Sequence, residues 1–239
     1  MKRSNFYIFT YAAVMVIFVA AVLSLAATGL KPLQQKNIEI AKKLNILLSV
    51  DKGLDASQAD SKNDYVEGEY DKYITESFIV NSAGDRVDGL EAFVIDLKKE
   101  NAKPAEERNL PVYVSTNDDG SKNYIFPVLG NGLWGPLWGY VALNDDFVSI
   151  AGAVFDHKGE TPGLGAEISL KPFQDQFKGK KIYDGTGKFT SIQVNKAGIP
   201  TTESSVDGIS GGTITSKALE QMIYDCMVNY VDFLKNPSN

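Results

Sequence analysis

The strongest constraint on this chain of 239 residues is a long uncharged stretch near its N-terminus. No charged residue lies between Arg3 and Lys31, and the interval is rich in Val, Ala, Phe and Leu. Residues 6–25 alone would form a helix about 30 Å long, which is enough to cross the hydrocarbon core of a bilayer. Tyr7 and Tyr11 lie near one end of this stretch, where aromatic rings prefer the membrane interface. The sequence therefore predicts one N-terminal membrane-spanning helix.

A cleaved signal peptide is the alternative interpretation of this stretch. Lys2 and Arg3 would supply its basic region, and Ser24-Leu25-Ala26 resembles a small-residue cleavage site. A retained span is favoured, because the apolar core of a signal peptide usually has about 7–15 residues and this run is longer. The basic pair before the span predicts a cytoplasmic N-terminus and an outer position for the rest of the chain. Four lysines that follow the span weaken this orientation: Lys31, Lys36, Lys42 and Lys43.

The composition excludes several classes of protein. With 44% hydrophobic and 23% charged residues, the chain is typical of folded proteins and not of disordered tails. One cysteine (Cys226) allows neither an intrachain disulfide nor a cysteine-based metal centre, and one histidine (His157) excludes a multi-histidine metal site. The excess of 30 acidic over 24 basic residues predicts no nucleic-acid partner. The GxGxxG spacing at 130–135 (GNGLWG) lies between two β-rich runs and opens no predicted helix, so it is not of the Rossmann type, and we expect no NADH site in this chain.

The first part of the chain beyond the span is predicted to be helical and acidic. It covers residues 31–109 and begins with an outer helix over 34–50, which has Pro32 at its start. The acidic residues of 51–71 form either a cation-attracting patch or a solvated surface, and we favour the solvated surface. A short hairpin is predicted over 78–87.

The second part, residues 110–239, is predicted to contain strands and turns that end in a helix. The β-rich runs lie at 111–114, 124–128, 139–143, 147–155 and 188–194. A helix is predicted over 214–234, where apolar residues recur at three- and four-residue steps, and Cys226 lies on that stripe as buried filling. The predicted fold class is α+β: a transmembrane anchor (1–30), a helical and acidic connecting part (31–109), and a mixed α/β outer domain with a C-terminal helix (110–239).

A glycine-rich segment directly before the last predicted helix is a candidate anion site. It extends from Asp207 to Ser216 with the sequence DGISGGTITS. Free backbone N–H groups at the start of a helix favour a phosphate, whereas Gly-Gly turns and Ser or Thr caps are also ordinary features of loops. The Walker A pattern is absent. The spacing alone leaves the phosphate site and the plain turn as alternatives.

Two further segments have the same ambiguity. Residues 159–165, with the sequence GETPGLG, predict a tight turn whose last glycine permits close approach of a ligand, or simply a loop. Trp134 and Trp138 lie four residues apart in a glycine-rich stretch. They either flank a flat aromatic ligand or pack in the core.

The order of these segments resembles the family of the C subunit of the sodium-translocating NADH:quinone oxidoreductase. The likeness rests on the N-terminal span, on 124–143 (YIFPVLGNGLWGPLWGYVAL), on 157–168 (HKGETPGLGAEI) and on DGISGGTITS, and it is weakest over 51–109. The last segment is similar to the flavinylation motif of the family, in which FMN is attached through its phosphate to a threonine hydroxyl. The resemblance implies that Thr213 is the acceptor, with Thr215 in reserve. Gly212 departs from the family pattern, which usually has Ala there.

The resemblance also implies an FMN-binding set, with no metal ligand and no catalytic residue of this chain's own. The expected residues are Thr213, Asp207, Ser210, Gly211, Gly212 and Thr215 in the last segment, Glu160, Thr161, Gly163 and Leu164 in the second, and Trp134 in the third. A threonine hydroxyl is a weak nucleophile, and the motif offers Asp207 at best as a base. We therefore expect a separate flavin transferase to attach the FMN.

The function that the resemblance implies is electron relay in a membrane complex. The covalent FMN would receive an electron from a neighbouring metal centre and pass it to another flavin, coupled to sodium export and to reduction of ubiquinone by NADH. The expected partners are subunits A, B, D, E and F, in the inner membrane of a bacterium with the main domain in the periplasm. The alternatives are the flavin-bearing subunit of the Rnf electron-transport complex and a non-redox, membrane-anchored binding module. The acidic first part and the GLWGPLWGY stretch argue against the Rnf subunit.

Overall fold

The computed structural model describes residues 5–236, which fall into two compact units, one up to Lys42 and one from Lys43 onward. Lys2 and Arg3, on which the predicted orientation rests, lie outside the described residues. The last three positions of the predicted 110–239 part, residues 237–239, lie outside them as well.

The first unit consists of most of helix α1 (Asn5–Leu48), which is apolar and long enough to cross a membrane. Its apolar side chains over residues 6–25 are exposed, so they do not form part of a protein core. The helix therefore fits a single-pass membrane anchor. The helix predicted to continue outward over 34–50 is confirmed as the last part of α1, but its predicted start at Pro32 is wrong, because Pro32 lies inside α1. A proline removes one backbone hydrogen bond, and the long helical runs on both sides outweigh this local loss.

The second unit is built on a six-stranded antiparallel sheet. Its strands are β1 (Ile74–Val80), β2 (Arg86–Val87), β3 (Leu110–Thr116), β4 (Lys122–Asn131), β5 (Pro136–Asn144) and β6 (Ile150–His157). They lie in the order β2-β1-β3-β4-β5-β6, and all neighbours are antiparallel. The predicted hairpin is confirmed, because Ile79 pairs with Val87. A separate parallel pair, β7 (Gln193–Asn195) and β8 (Ser205–Asp207), precedes the last helices.

Helices surround the sheet and complete the mixed architecture. They are α2 (Lys62–Tyr73), α3 (Leu97–Asn101), α4 (Lys171–Gln174), α5 (Thr213–Met227) and α6 (Val231–Lys235), with short 3-10 turns between them. The helix predicted over 214–234 is confirmed as α5 and α6, which a 3-10 turn at Val228–Tyr230 joins. The strand predicted over 188–194 is wrong before Gln193, because the Asp184 carboxylate closes a turn by accepting the N–H groups of Thr186 and Lys188.

The sheet buries apolar side chains on both faces, as the alternation along its strands requires. The larger core includes Phe126 of β4, whose ring packs against Tyr230 and Phe233 with centroids 4.8 and 6.4 Å apart. The smaller core includes Ile46 at the end of α1 and Tyr113 of β3. Cys226 packs against the larger core as expected, and burial raises the pKa of its thiol to about 11.

Glu100 in α3 stabilises the fold in a pH-dependent way. Burial alone would raise the pKa of Glu100, but hydrogen bonds from the Asn109 N–H and the Lys103 ammonium, both 2.8 Å from Oε2, lower it below its ordinary value. We expect Glu100→Gln to lower the free energy of unfolding by about 1 kcal/mol at pH 7. A lowered carboxyl pKa stabilises above the unfolded pKa and loses its effect as the pH falls through the folded pKa.

The measurement is urea unfolding of the detergent-solubilised chain at pH 7 and near pH 3. The difference between wild type and Glu100→Gln should shrink at the lower pH. Glu106→Gln, which changes an exposed carboxylate in the same loop, serves as the control and should show no difference. A Glu100→Gln effect of equal size at both pH values would contradict the assignment.

Candidate functional site

Three segments converge at one end of the sheet. The loop between β4 and β5, residues 132–135, lies beside the segment that leaves β6, because Leu137 pairs with His157 across the two strands. The start of α5 reaches the same end because α5 packs closely on β4, where a Cβ on Gly130 would lie 2.8 Å from the Cβ of Met222. The glycine-rich segments that stand apart in the sequence are therefore neighbours in the fold.

These segments enclose a cavity of about 270 Å³. Its rim is apolar, because Leu133, Trp134, Leu164 and Ile214 line it with exposures between 40% and 67%. Its remaining wall contains polar groups of the GETPGLG segment (159–165) and of the first turn of α5. Of the predicted set, the cavity is lined by Trp134, Glu160, Thr161, Leu164, Gly211, Gly212, Thr213 and Thr215.

Three predicted residues do not line this cavity, because their polar groups or backbone serve turns beside it. The Asp207 carboxylate accepts the N–H of Gly198 at 2.9 Å, and the Asp207 N–H donates to the side chain of Gln176. Gly163 is exposed and its N–H donates to Glu167 at 3.0 Å. Ser210 is exposed in the turn before α5.

The cavity also contains Leu133, Gly165 and Ile214, which the predicted set omits. The sequence carried a signal for each. Leu133 precedes Trp134 in the same loop, Gly165 ends the GETPGLG turn, and Ile214 is an apolar residue out of step with the buried stripe of α5. Trp138 lies in β5 opposite Leu129 and Asp156 and does not line the cavity, so the two tryptophans do not flank one ligand there.

The start of α5 offers free backbone donors to the cavity. Gly212 is the N-cap residue and Thr213 the first helical residue, and no side chain within residues 5–236 caps this end. The first N–H groups of a helix have no acceptor inside it, and the helix dipole favours negative charge there. Gly211 has φ +74°, and a Cβ on it would lie 2.7 Å from a side-chain atom of Leu164. The turn before α5 therefore packs directly on the GETPGLG segment (159–165). A phosphate group is favoured at this position.

The two threonines of this turn differ in environment. Thr213 is exposed, and among the described residues its hydroxyl has no hydrogen-bond partner. Thr215 is 2% exposed and donates its hydroxyl to Oε2 of Glu160 at 2.6 Å. Oε1 of Glu160 accepts the backbone N–H of Trp134 at 2.9 Å. Of the two hydroxyls, only that of Thr213 is exposed and without a hydrogen-bond partner among the described residues.

Comparison with known proteins gives the family. The model of the family described as FMN-binding domain matches residues 132–228, which include the whole cavity. The C subunit of the Na(+)-translocating NADH-quinone reductase from Vibrio vulnificus (strain YJ016) is 33% identical over 216 residues, covering 83% of this chain and 81% of the relative. The chain belongs to this family of reductase C subunits. The resemblance inferred from the sequence motifs is thereby confirmed.

Other relatives agree with this assignment. The C subunit from Neisseria meningitidis (strain Z2491) is 34% identical over 207 residues, covering 82% of this chain and 79% of the relative. The crystal structure of the C subunit from Parabacteroides distasonis ATCC 8503 has a TM-score of 0.76 and 41% identity, covering 87% of this chain and 98% of that one. The Shewanella oneidensis protein NqrC, with a TM-score of 0.69 and 23% identity over 82% of this chain and 96% of that one, shares the fold.

The residues of the cavity fit an FMN group. Exposed apolar side chains such as Trp134 and Ile214 suit the faces of a flat ring, and the uncapped start of α5 suits the phosphate. The free hydroxyl of Thr213 lies at the same edge. This combination gives the cavity both an apolar and an anion-binding region.

Proposed function

We propose that this chain carries FMN, esterified through its phosphate to Thr213, and relays electrons between redox centres of a sodium-translocating NADH:quinone reductase. The observation that carries the proposal is the free Thr213 hydroxyl at the uncapped start of α5, on the edge of the cavity. Membership in the family of reductase C subunits supports it.

The attachment needs an activating group, and among residues 5–236 no side chain forms a hydrogen bond with the Thr213 hydroxyl. The Thr213 oxygen would bond to the phosphorus of an FMN donor as the bond to the leaving group breaks, and the hydroxyl proton would go to a base. Within the described residues, the Glu160 carboxylate is engaged by Thr215 and Trp134, and the carboxylate of Asp207 faces Gly198. Because a threonine hydroxyl is a weak nucleophile, a separate flavin transferase supplies the base or metal.

The chain contributes position and shielding to the relay. FMN supplies the one-electron redox chemistry when it is bound. The apolar rim around Trp134 would hold the ring, and the first-turn N–H groups of α5 would hold the phosphate. Because the rim is exposed, it would leave the bound cofactor accessible to an electron partner.

The apolar anchor and the basic pair Lys2 and Arg3 before it support the proposed placement in the cell. The exposed apolar part of α1 spans the inner membrane once, with the N-terminus in the cytoplasm and the cavity in the periplasm. A covalent tether keeps the cofactor at its site, where lost FMN is not readily replaced. Subunits A, B, D, E and F complete the complex, which couples electron transfer from NADH to ubiquinone with sodium export.

The test is expression of the full chain with and without a flavin transferase. With the transferase, we expect the denatured chain to fluoresce under ultraviolet light in a gel, and a peptide containing Thr213 to carry the mass of FMN less one water. Without the transferase, the chain should be colourless. Wild-type chain without a flavin adduct despite an active transferase would refute the function, and loading without transferase would refute the need for it.

A further inference from the structure

Glu160 is a buried carboxylate without a cationic partner. It is 5% exposed, and no Lys, Arg or His side chain within residues 5–236 contacts its carboxylate. Burying a charge is unfavourable unless hydrogen bonds compensate for the lost water. Here the backbone N–H of Trp134 donates to one oxygen and the hydroxyl of Thr215 to the other.

The two donors belong to different elements that line the cavity. Trp134 lies in the short loop between β4 and β5, whereas Thr215 lies in the first turn of α5. Glu160 itself is held at the end of β6, because its N–H donates to Nδ1 of His157 at 3.1 Å. The carboxylate therefore bridges two elements that have no neighbouring position in the sequence.

Two glycines make room for this bridge. A Cβ on Gly132 would lie 2.5 Å from Oε1 of Glu160, and a Cβ on Gly165 would lie 2.6 Å from Oε2. Any other residue at either position would displace the carboxylate or the loop. The two glycines therefore leave room for the Glu160 carboxylate on both of its sides.

We propose that Glu160 is a positioning residue of the cavity: its carboxylate ties the Trp134 loop to the first turn of α5 and fixes the spacing of the two walls that receive the flavin ring. This inference rests on the proposed function for the identity of the ligand. Hydrogen bonds to an ionised group are roughly twice as strong as neutral ones, so the tie adds a strong link to a loop that the Gly132 N–H also closes by donating to the Gly135 carbonyl at 2.7 Å. Trp134 itself is 67% exposed, and its backbone N–H links the loop to Glu160.

Amide hydrogen exchange measures the tie without any flavin. Selective ¹⁵N-tryptophan labelling of the detergent-solubilised full chain gives the backbone signals of Trp134 and Trp138. We expect Glu160→Ala to speed exchange at Trp134 at least tenfold, with no change at Trp138, whose amide lies in β5. Glu160→Gln keeps an oxygen acceptor for Trp134 and should remain within threefold of wild type. Glu167→Gln changes another carboxylate of the same segment and should leave the Trp134 signal unaltered.

Flavin mobility tests the consequence in the loaded chain. In Glu160→Ala, the fluorescence anisotropy of the native chain should fall, and the in-gel fluorescence of the denatured chain reports how much covalent flavin each sample holds. Glu160→Gln should restore the anisotropy. A merely structural loss would lower the anisotropy in both variants.

The outcomes separate this inference from the proposed function. Unchanged Trp134 exchange in a folded Glu160→Ala chain would overturn the positioning role. If Glu160→Ala does not fold, Thr215→Val removes one link at constant shape, and unchanged exchange at Trp134 in that variant would overturn it instead. A wild-type chain that never acquires flavin refutes the proposed function, while the exchange measurement still decides whether Glu160 ties the two walls.

Discussion

Replacing Thr213 with Ala is expected to abolish covalent flavin while leaving the fold intact. The hydroxyl is the only group of the side chain that can form the ester, and it has no hydrogen-bond partner among the described residues. Gly212 and not Thr213 is the N-cap of α5, so no cap bond is lost, and alanine is favourable within a helix. The free energy of unfolding should therefore change by less than about 0.5 kcal/mol. In-gel fluorescence after co-expression with a flavin transferase measures the loss.

Two matched variants make this result specific. Thr213→Ser keeps a hydroxyl at the same position and should retain flavin. Thr215→Ala removes a hydroxyl that is 2% exposed and donates to Glu160, so the chain should still become fluorescent. Loss of flavin in Thr215→Ala together with full loading of Thr213→Ala would overturn the assignment of the acceptor.

The choice between the two threonines illustrates what the sequence could and could not provide. Residues two positions apart on a helix point about 200° apart, so only one of Thr213 and Thr215 can face solvent. The sequence predicted a helix over 214–234 but not its first residue, and the assignment to Thr213 therefore rested on the family motif. The start of α5 at Thr213, with Thr215 turned toward Glu160, supports the proposed choice of Thr213.

The segments of the site were predictable, whereas their convergence was not. Glycine-rich stretches with exposed aromatic or hydroxyl residues are visible in the sequence. Their meeting depends on the pairing of Leu137 with His157 and on the close approach of α5 at Gly130, and neither contact has a local signal. The motif predicted a role for Asp207 at the site; in the fold its carboxylate accepts the Gly198 N–H and the residue does not line the cavity.

The fold was predictable where the pattern was long. The uncharged run after Arg3 and the apolar stripe of α5 each extend over several helical turns, so their signals add up. Short features failed because a single local contact decides them. Pro32 lies inside a helix that continues on both sides, and the side chain of Asp184 closes a turn before β7.

Replacing Phe126 with Ala is expected to lower the free energy of unfolding by about 3–5 kcal/mol, the range for large-to-small changes in a core. Phe126 is fully buried in β4, and its ring packs against Tyr230 at 4.8 Å between centroids. The surroundings have little freedom to collapse into the space, because the Tyr230 hydroxyl donates to the carbonyl of Pro111 at 3.0 Å and holds its ring in place. A cavity that cannot close keeps the full loss of packing.

Urea unfolding of the detergent-solubilised chain, followed by circular dichroism, measures this loss. Val94→Ala truncates a side chain that is 69% exposed and should change the free energy of unfolding by less than about 0.5 kcal/mol. Because Phe126 joins β4 to the C-terminal helices, the variant should also load less flavin at elevated temperature, when α5 leaves the sheet and the cavity opens. A loss below about 1 kcal/mol would show that the packing of β4 against Tyr230 and Phe233 does not hold the site together.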